Sequence, residues 1–169
     1  MNKMQEIRIE KLTFNIGVGE SGAKLDKAIK LLTTLTGQKP IATKAKKRIP
    51  TWGLRPGLTI GAKVTLRKNQ NEVLKRMLDS IGNKLPLSKL GDGTFSFGIP
   101  EYIQIPDAKY DIEIGIMGLS VAATLQRPGY RVKKRINKNK IPRNHLISKD
   151  ETAEFLKVKF NTKLEEEEK

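Results

Sequence analysis

"IGAKVTLRKNQNEVLKRMLDSIGNKL" (Ile60–Leu85) writes a strand and then a helix into one stretch. Ile60, Ala62, Val64 and Leu66 alternate with Gly61, Lys63, Thr65 and Arg67, the two-residue period of a strand buried on one face. After Lys68 the period changes. Leu74, Met77, Leu78, Ile81 and Leu85 return every three or four residues, as on the apolar side of a helix. Asn69, with Glu72 three residues on, predicts a capping-box start. If helices cover the face with Ile60, Val64 and Leu66, the face with Lys63, Thr65 and Arg67 stays open, and it is basic.

The rest of the chain extends this pattern in both directions. Upstream, the loop 50–59 holds Pro50, Gly53, Pro56 and Gly57, and Lys39–Ile49 reads as a basic strand of weak alternation. Glu6–Gly19 reads as a strand whose apolar phase shifts between Ile9 and Leu12, which predicts a bulge near Glu10–Lys11. Ser21 is placed to cap a helix carrying Leu25, Ala28, Ile29, Leu32 and Leu35, with Gly37 as its stop. Downstream, Thr94–Phe97 and Glu101–Ile105 predict a strand pair around Gly98 and Pro100. Tyr110–Gln126 reads as one long strand, shifted in phase at Gly118, and Arg127–Tyr130 as a turn. Arg131–Arg143 holds seven Lys/Arg and only Val132, Ile136 and Ile141 as apolar residues, so little regular structure is expected. Ser148 with Glu151 opens a last helix carrying Ala153, Phe155 and Leu156, and Glu165–Glu168 reads as a frayed acidic tail. The expected architecture is one α+β domain: an antiparallel sheet backed by helices on one face, with the other face open. Along the chain it divides into 1–68 (strands, helix and loop), 69–130 (second helix and later strands), 131–147 (basic extension), 148–162 (helix) and 163–169 (tail).

The formal net charge is +15 and the pI about 10.0, more than solubility needs, and the default partner of such a chain is a polyanion. The charge is also segregated. Lys27–Asn71 holds eleven Lys/Arg and Ile114–Lys149 nine, and neither window has an acid. Surfaces that are merely solvated intersperse the two signs. The absence of cysteine excludes disulfides and thiolate metal sites, and one histidine cannot make a multi-His zinc site. With no apolar signal core and no run of about 18 apolar residues, the expectation is a soluble intracellular protein without a membrane partner. Gly17-Val18-Gly19-Glu20-Ser21-Gly22 has dinucleotide-loop spacing, but the next strand offers no acid for a ribose, so a tight turn into the helix is the better reading. Asp111 and Glu113 read as solvated carboxylates, and His145 as an accessory RNA contact or a bystander. No catalytic constellation, cofactor site or small-molecule site emerges. Aromatics at 5% are too few for a base-stacking platform, which favours shape and backbone readout of folded RNA. On these features alone the competing readings are an rRNA-binding protein and a nucleic-acid chaperone or DNA-binding protein.

Six stretches in order, "IRIEKLTFNIGVGES", "LTGQKPIATKAKKRIP", "IGAKVTLRK", "FSFGIPEYIQIP", "YDIEIGIMGLSVAATLQRPGYRVKKR" and the Ser148–Phe160 helix, resemble the large-subunit ribosomal protein five family over almost the whole chain. The "RPGYRVKKR" extension is similar to its archaeal branch. The resemblance implies a non-enzymatic, cytoplasmic constituent of the large ribosomal subunit. Its partners would be 5S rRNA, large-subunit rRNA, the P-site tRNA elbow, other central-protuberance proteins and a protein of the small-subunit head. By resemblance, Asn15, Gln38 and Thr65 match polar positions that hydrogen-bond RNA. Around them Thr43, Lys39, Lys44, Lys46, Lys63 and Arg67 complete the expected 5S rRNA site, with Arg131, Lys133, Lys134 and Arg135 as a further rRNA contact. Asn15 and Gln38 could instead satisfy turn or sheet-edge backbone. The loop Pro50–Leu58 would face tRNA, with Arg55 at its tip. Trp52 is expected to brace that loop against the sheet in preference to stacking on tRNA.

Overall fold

The computed structural model describes residues 2–165. Its centre is β1 (Arg8–Gly17), flanked by β3 (Thr59–Leu66) and β7 (Leu119–Gln126). Outside these lie β2 (Ile41–Lys44) on one side and β6 (Thr94–Ile99) then β5 (Leu90–Gly91) on the other, giving a six-stranded antiparallel sheet in the order β2-β3-β1-β7-β6-β5. Phe14, Ile16, Ala62, Val64, Leu66, Phe95, Val121, Ala123 and Leu125 point to one face and are buried. Helices α1 (Ala23–Thr36) and α2 (Gln70–Asp79) pack over β3 and β1, and α3 (Lys149–Phe160) packs against β5 and β6. A two-stranded parallel pair, β4 (Lys84–Pro86) with β8 (Lys163–Glu165), closes the helical layer. This is the α+β arrangement expected, with the predicted bulge between Ile9 and Lys11. Because β1 pairs antiparallel with both its neighbours, the Gly17–Gly22 turn has no dinucleotide-type parallel crossover around it.

Gly37 ends α1 in the left-handed conformation with its N–H on Thr33 O, as its position predicts. Ser148 and Glu151 form the full capping box. Two other caps differ. α1 starts from Gly22 at φ 116° with no side-chain cap, so Ser21 lies one residue too early. Asn69 is left-handed, φ 52°, and cannot aim its side chain at the first turn; Gln70 instead donates from Nε2 to Glu10 O (2.9 Å). α2 stops at Asp79, and positive φ at Gly82 and Asn83 turns the chain into β4. Leu85 is therefore core on a strand, opposite Leu164, and not part of a helical stripe.

The expected long strand Tyr110–Gln126 is shortened to its second half. Its neighbours end level with its start: Ser120 faces Asn15 of β1 and Leu119 faces Ile99 of β6, after which Pro100 ends the ladder. Without partners the alternating Ile112, Ile114 and Ile116 cannot continue a sheet. Ile112 and Ile116 are exposed, and Lys30 of α1 holds Asp111 (3.0 Å) and Glu113 (2.6 Å). Those carboxylates are thus paired. Lys30 hydrogen bonds keep Asp111 below the usual carboxylate range. Glu101–Ile105 is not a strand either. Tyr102–Gln104 makes a 3-10 turn whose Tyr102 is buried, with its hydroxyl oxygen accepting from Asp111 N–H (3.0 Å). Of the acidic tail, Glu165 belongs to β8 and the remainder lies outside the described residues.

Candidate nucleic-acid interface

The uncovered face of the sheet is a grid fixed by strand register. One row runs Ile41, Lys63, Asn15, Ser120, Gly98 across β2, β3, β1, β7 and β6. The next runs Thr65, Thr13, Ala122, Ser96, and a third runs Lys11, Thr124, Thr94. Thr43 stands beside Gly61 at the β2 edge. None of these residues is acidic, and most are small. Much of the surface therefore carries short side chains, which lets a sugar-phosphate backbone come close, and it presents hydroxyls and the Asn15 amide that pair with 2′-OH and phosphate oxygens.

Of the predicted residues, Asn15, Lys63, Thr65 and Thr43 come together on this face; Asn15 and Lys63 are exposed and directly opposite each other. Lys44 and Lys46 are exposed at the end of β2, and Gln38 and Lys39 in the α1–β2 connection. Gln38 reaches Thr36 Oγ1 only through its backbone N–H (3.4 Å). Arg67 and Lys134 are not free cations: both approach the Glu10 carboxylate. Arg131, Lys133 and Arg135 are exposed on the extension, which begins with a 3-10 turn, Tyr130–Lys134, and has no regular structure over 135–142.

The loop after β2 is a closed finger. Ala45 N–H bonds to Leu58 O (2.7 Å), and Ile49 and Leu54 exchange two 3.0 Å bonds. Pro50–Trp52 makes a 3-10 turn and Gly53, at φ 64°, reverses the chain. Two expectations change here. Trp52 is 73% exposed at the tip and does not brace the loop on the sheet; the Ile49–Leu54 bridge and the buried Leu54 do that. Arg55 lies on the return side just past the bridge, also exposed.

His145 is half-buried and is not a bystander. Its Nε2 lies 2.9 Å from Pro128 O and its ring packs edge-on against Tyr130, so it helps close the base of the extension. Sequence reasoning also missed Arg127. It is buried, donating from Nη2 to Glu151 Oε1 (2.6 Å) and from Nη1 to Leu146 O (3.3 Å). Burial raises the Glu151 carboxyl, but the Ser148 N–H and Arg127 outweigh it and hold the group below the usual range. Also missed were Thr13, Ser96, Ser120, Ala122 and Thr124 of the open face. The signal was available, because "LSVAATLQ" alternates, and its outward phase is uniformly small or polar.

Among the described residues no His, Cys, Asp and Glu group could hold a metal ion, and no helix is long and apolar enough to cross a membrane. In the 720 Å³ cleft between α1 and the 106–114 segment, Asp111 and Glu113 share Lys30 as their ion-pair partner, and Arg76, Asp107 and Lys109 complete its charged lining.

Residues 2–55 match the "Ribosomal protein L5" family, and residues 59–163 match the C-terminal part of the same ribosomal family. The large ribosomal subunit protein uL5 of Nanoarchaeum equitans is 50% identical over 164 residues, covering 95% of this chain and 97% of that protein. The uL5 of Sulfurisphaera tokodaii is 48% identical over 170 residues, covering 98% and 96%, and that of Sulfolobus acidocaldarius 47% over 163 residues, covering 95% and 92%.

Proposed function

The chain belongs to the ribosomal protein L5 family of the large ribosomal subunit, and from that premise we infer that its open sheet face binds 5S rRNA. As a structural ribosomal protein it has no enzymatic role and works in the cytoplasm. The observation that carries the 5S reading is the acid-free grid around Asn15, Lys63 and Thr65, short in its side chains and edged by Lys39, Lys44 and Lys46. Arg131, Lys133 and Arg135 extend it toward large-subunit rRNA. In this reading the protein helps to build the central protuberance, meeting its other proteins there and a protein of the small-subunit head. Replacing Asn15 or Thr65 by Ala is expected to weaken 5S rRNA binding by about 1 kcal/mol each, since a lost contact leaves an RNA group unpaired. Filter binding against a second structured RNA of equal length checks this. Unchanged affinity in both variants, or no preference for 5S rRNA, would reject the assignment in favour of a general nucleic-acid chaperone.

The loop Pro50–Leu58, the outer part of the finger, is the tRNA-facing element of this proposal. It projects from the β2–β3 connection, its base is closed by backbone bonds, and an exposed Trp52 and Arg55 stand where an RNA backbone or base plane could be met. Arg55→Ala is expected to leave 5S rRNA binding intact and to speed P-site tRNA release from assembled ribosomes. Loss of 5S binding with tRNA retention unchanged would assign the finger to the rRNA surface.

A further inference from the structure

Glu10 is an acid set into a basic surface. It is the extra residue of the β1 bulge, where Ile9 pairs with Leu125 and Lys11 with Thr124, and it lines a cleft beside Thr94 and Thr124 of the open face. That side chain is only 10% exposed. Lys134 Nζ bonds to its Oε1, and Arg67 Nη1 lies 3.7 Å from the same oxygen. Burial works to raise the Glu10 carboxyl, but Lys134, Lys11 and Arg67 outweigh it, and the group is held below the usual carboxylate range. It is therefore ionised at neutral pH.

Lys134 closes the 3-10 turn that begins the basic extension. The other end of the extension is tied as well: Tyr130 donates its hydroxyl to His145 O (2.9 Å) and accepts from Ile147 N–H (3.1 Å). A 620 Å³ cleft joins the two regions, lined by Thr94 and Thr124 from the open face and by Lys133, Lys134 and Arg143 from the extension, with Glu10 and Asp92 as its two carboxylates. The open face thus runs into a basic wall.

We propose that Glu10 is a positioning residue for RNA recognition: it pins Lys134 so that the loop 131–143 stands at the end of the open face, and one RNA meets both as a single surface. This rests on the rRNA-binding reading above. The physical gain is preorganisation, because a loop already anchored at its start loses less conformational freedom when RNA is bound. An isolated carboxylate at this position would only repel phosphate.

That contrast makes the test sharp. Glu10→Gln in the full chain removes a negative charge from an RNA surface, so charge alone predicts tighter binding. The proposal predicts the opposite: about fivefold weaker binding to 5S rRNA, the scale of one ion pair, and faster amide exchange over Arg131–Arg135 in the free protein. Unchanged exchange would overturn the clamp. Faster exchange with unchanged or tighter RNA binding would overturn its part in recognition. If Glu10→Gln does not fold, Lys134→Gln must raise the same exchange, and its failure to do so overturns the clamp equally. A wild-type chain with no preference for 5S rRNA would instead sink the functional reading, and the exchange data would then decide the clamp alone.

Discussion

Raising monovalent salt from about 50 to about 200 mM is expected to weaken the hold on 5S rRNA by about a thousandfold, a slope near −5 in log K against log salt. The slope counts cations that neutralise phosphate, and the structure says which can. Lys39, Lys44, Lys46, Lys63, Arg131, Lys133 and Arg135 are exposed and make no ion pair among the described residues. Lys24, Lys30, Lys84 and Arg127 already have carboxylate partners and should contribute little. About six phosphate contacts from the first group account for the expected slope. A titration by filter binding or fluorescence anisotropy measures it. A slope shallower than about −2 would mean that the acid-free windows are not the contact surface. Replacing both Lys44 and Lys63 by Gln should flatten the slope by about two units, whereas Lys24→Gln and Lys84→Gln should leave it unchanged.

Much of this architecture can be read directly from residue order, and the places where it cannot share a cause. β3 is legible because both of its neighbours run alongside it, so alternation in sequence becomes alternation in burial. Tyr110–Met117 alternates just as well and is not a strand, because whether a ladder continues depends on where β1 and β6 stop. Leu85 is core in either reading, but only the approach of β8, from the far end of the chain, makes it a strand residue. The candidate site divides in the same way. Lysines and Thr65 announce themselves by charge and phase. Thr13, Ser96 and Ala122 become part of a site only through cross-strand register, which no local pattern encodes. Glu10 and Arg127 were hidden for a related reason. Each is one charge whose meaning depends on a partner distant in sequence, Lys134 in one case and Glu151 in the other.

The open face also depends on a residue with no side chain. Gly61 sits in β3 between Gly17 and Thr43, and a Cβ built on it would lie 2.6 Å from Ile16 O and 3.0 Å from Thr43 Oγ1. The first of these is backbone of a central strand and cannot swing aside. Gly61→Val is therefore expected to force β1 and β3 apart where α1 packs over β3, at a cost of about 2–3 kcal/mol. Gly98 supplies the internal comparison. It lies on the same face opposite Ser120, but a Cβ there meets nothing within 4 Å. Gly98→Ala should then cost no more than about 0.5 kcal/mol. Urea midpoints of the two variants at equal m-value measure the difference. Because Gly61 is flanked by Thr43 and lies close to the Lys63–Asn15 pair, the displaced strand should also disturb the RNA grid. Gly61→Val is thus expected to lose 5S rRNA affinity even under conditions where it remains folded. A Gly61→Val protein as stable as wild type would show that the strands yield at no cost, and the closely spaced β1–β3 face would lose its structural basis.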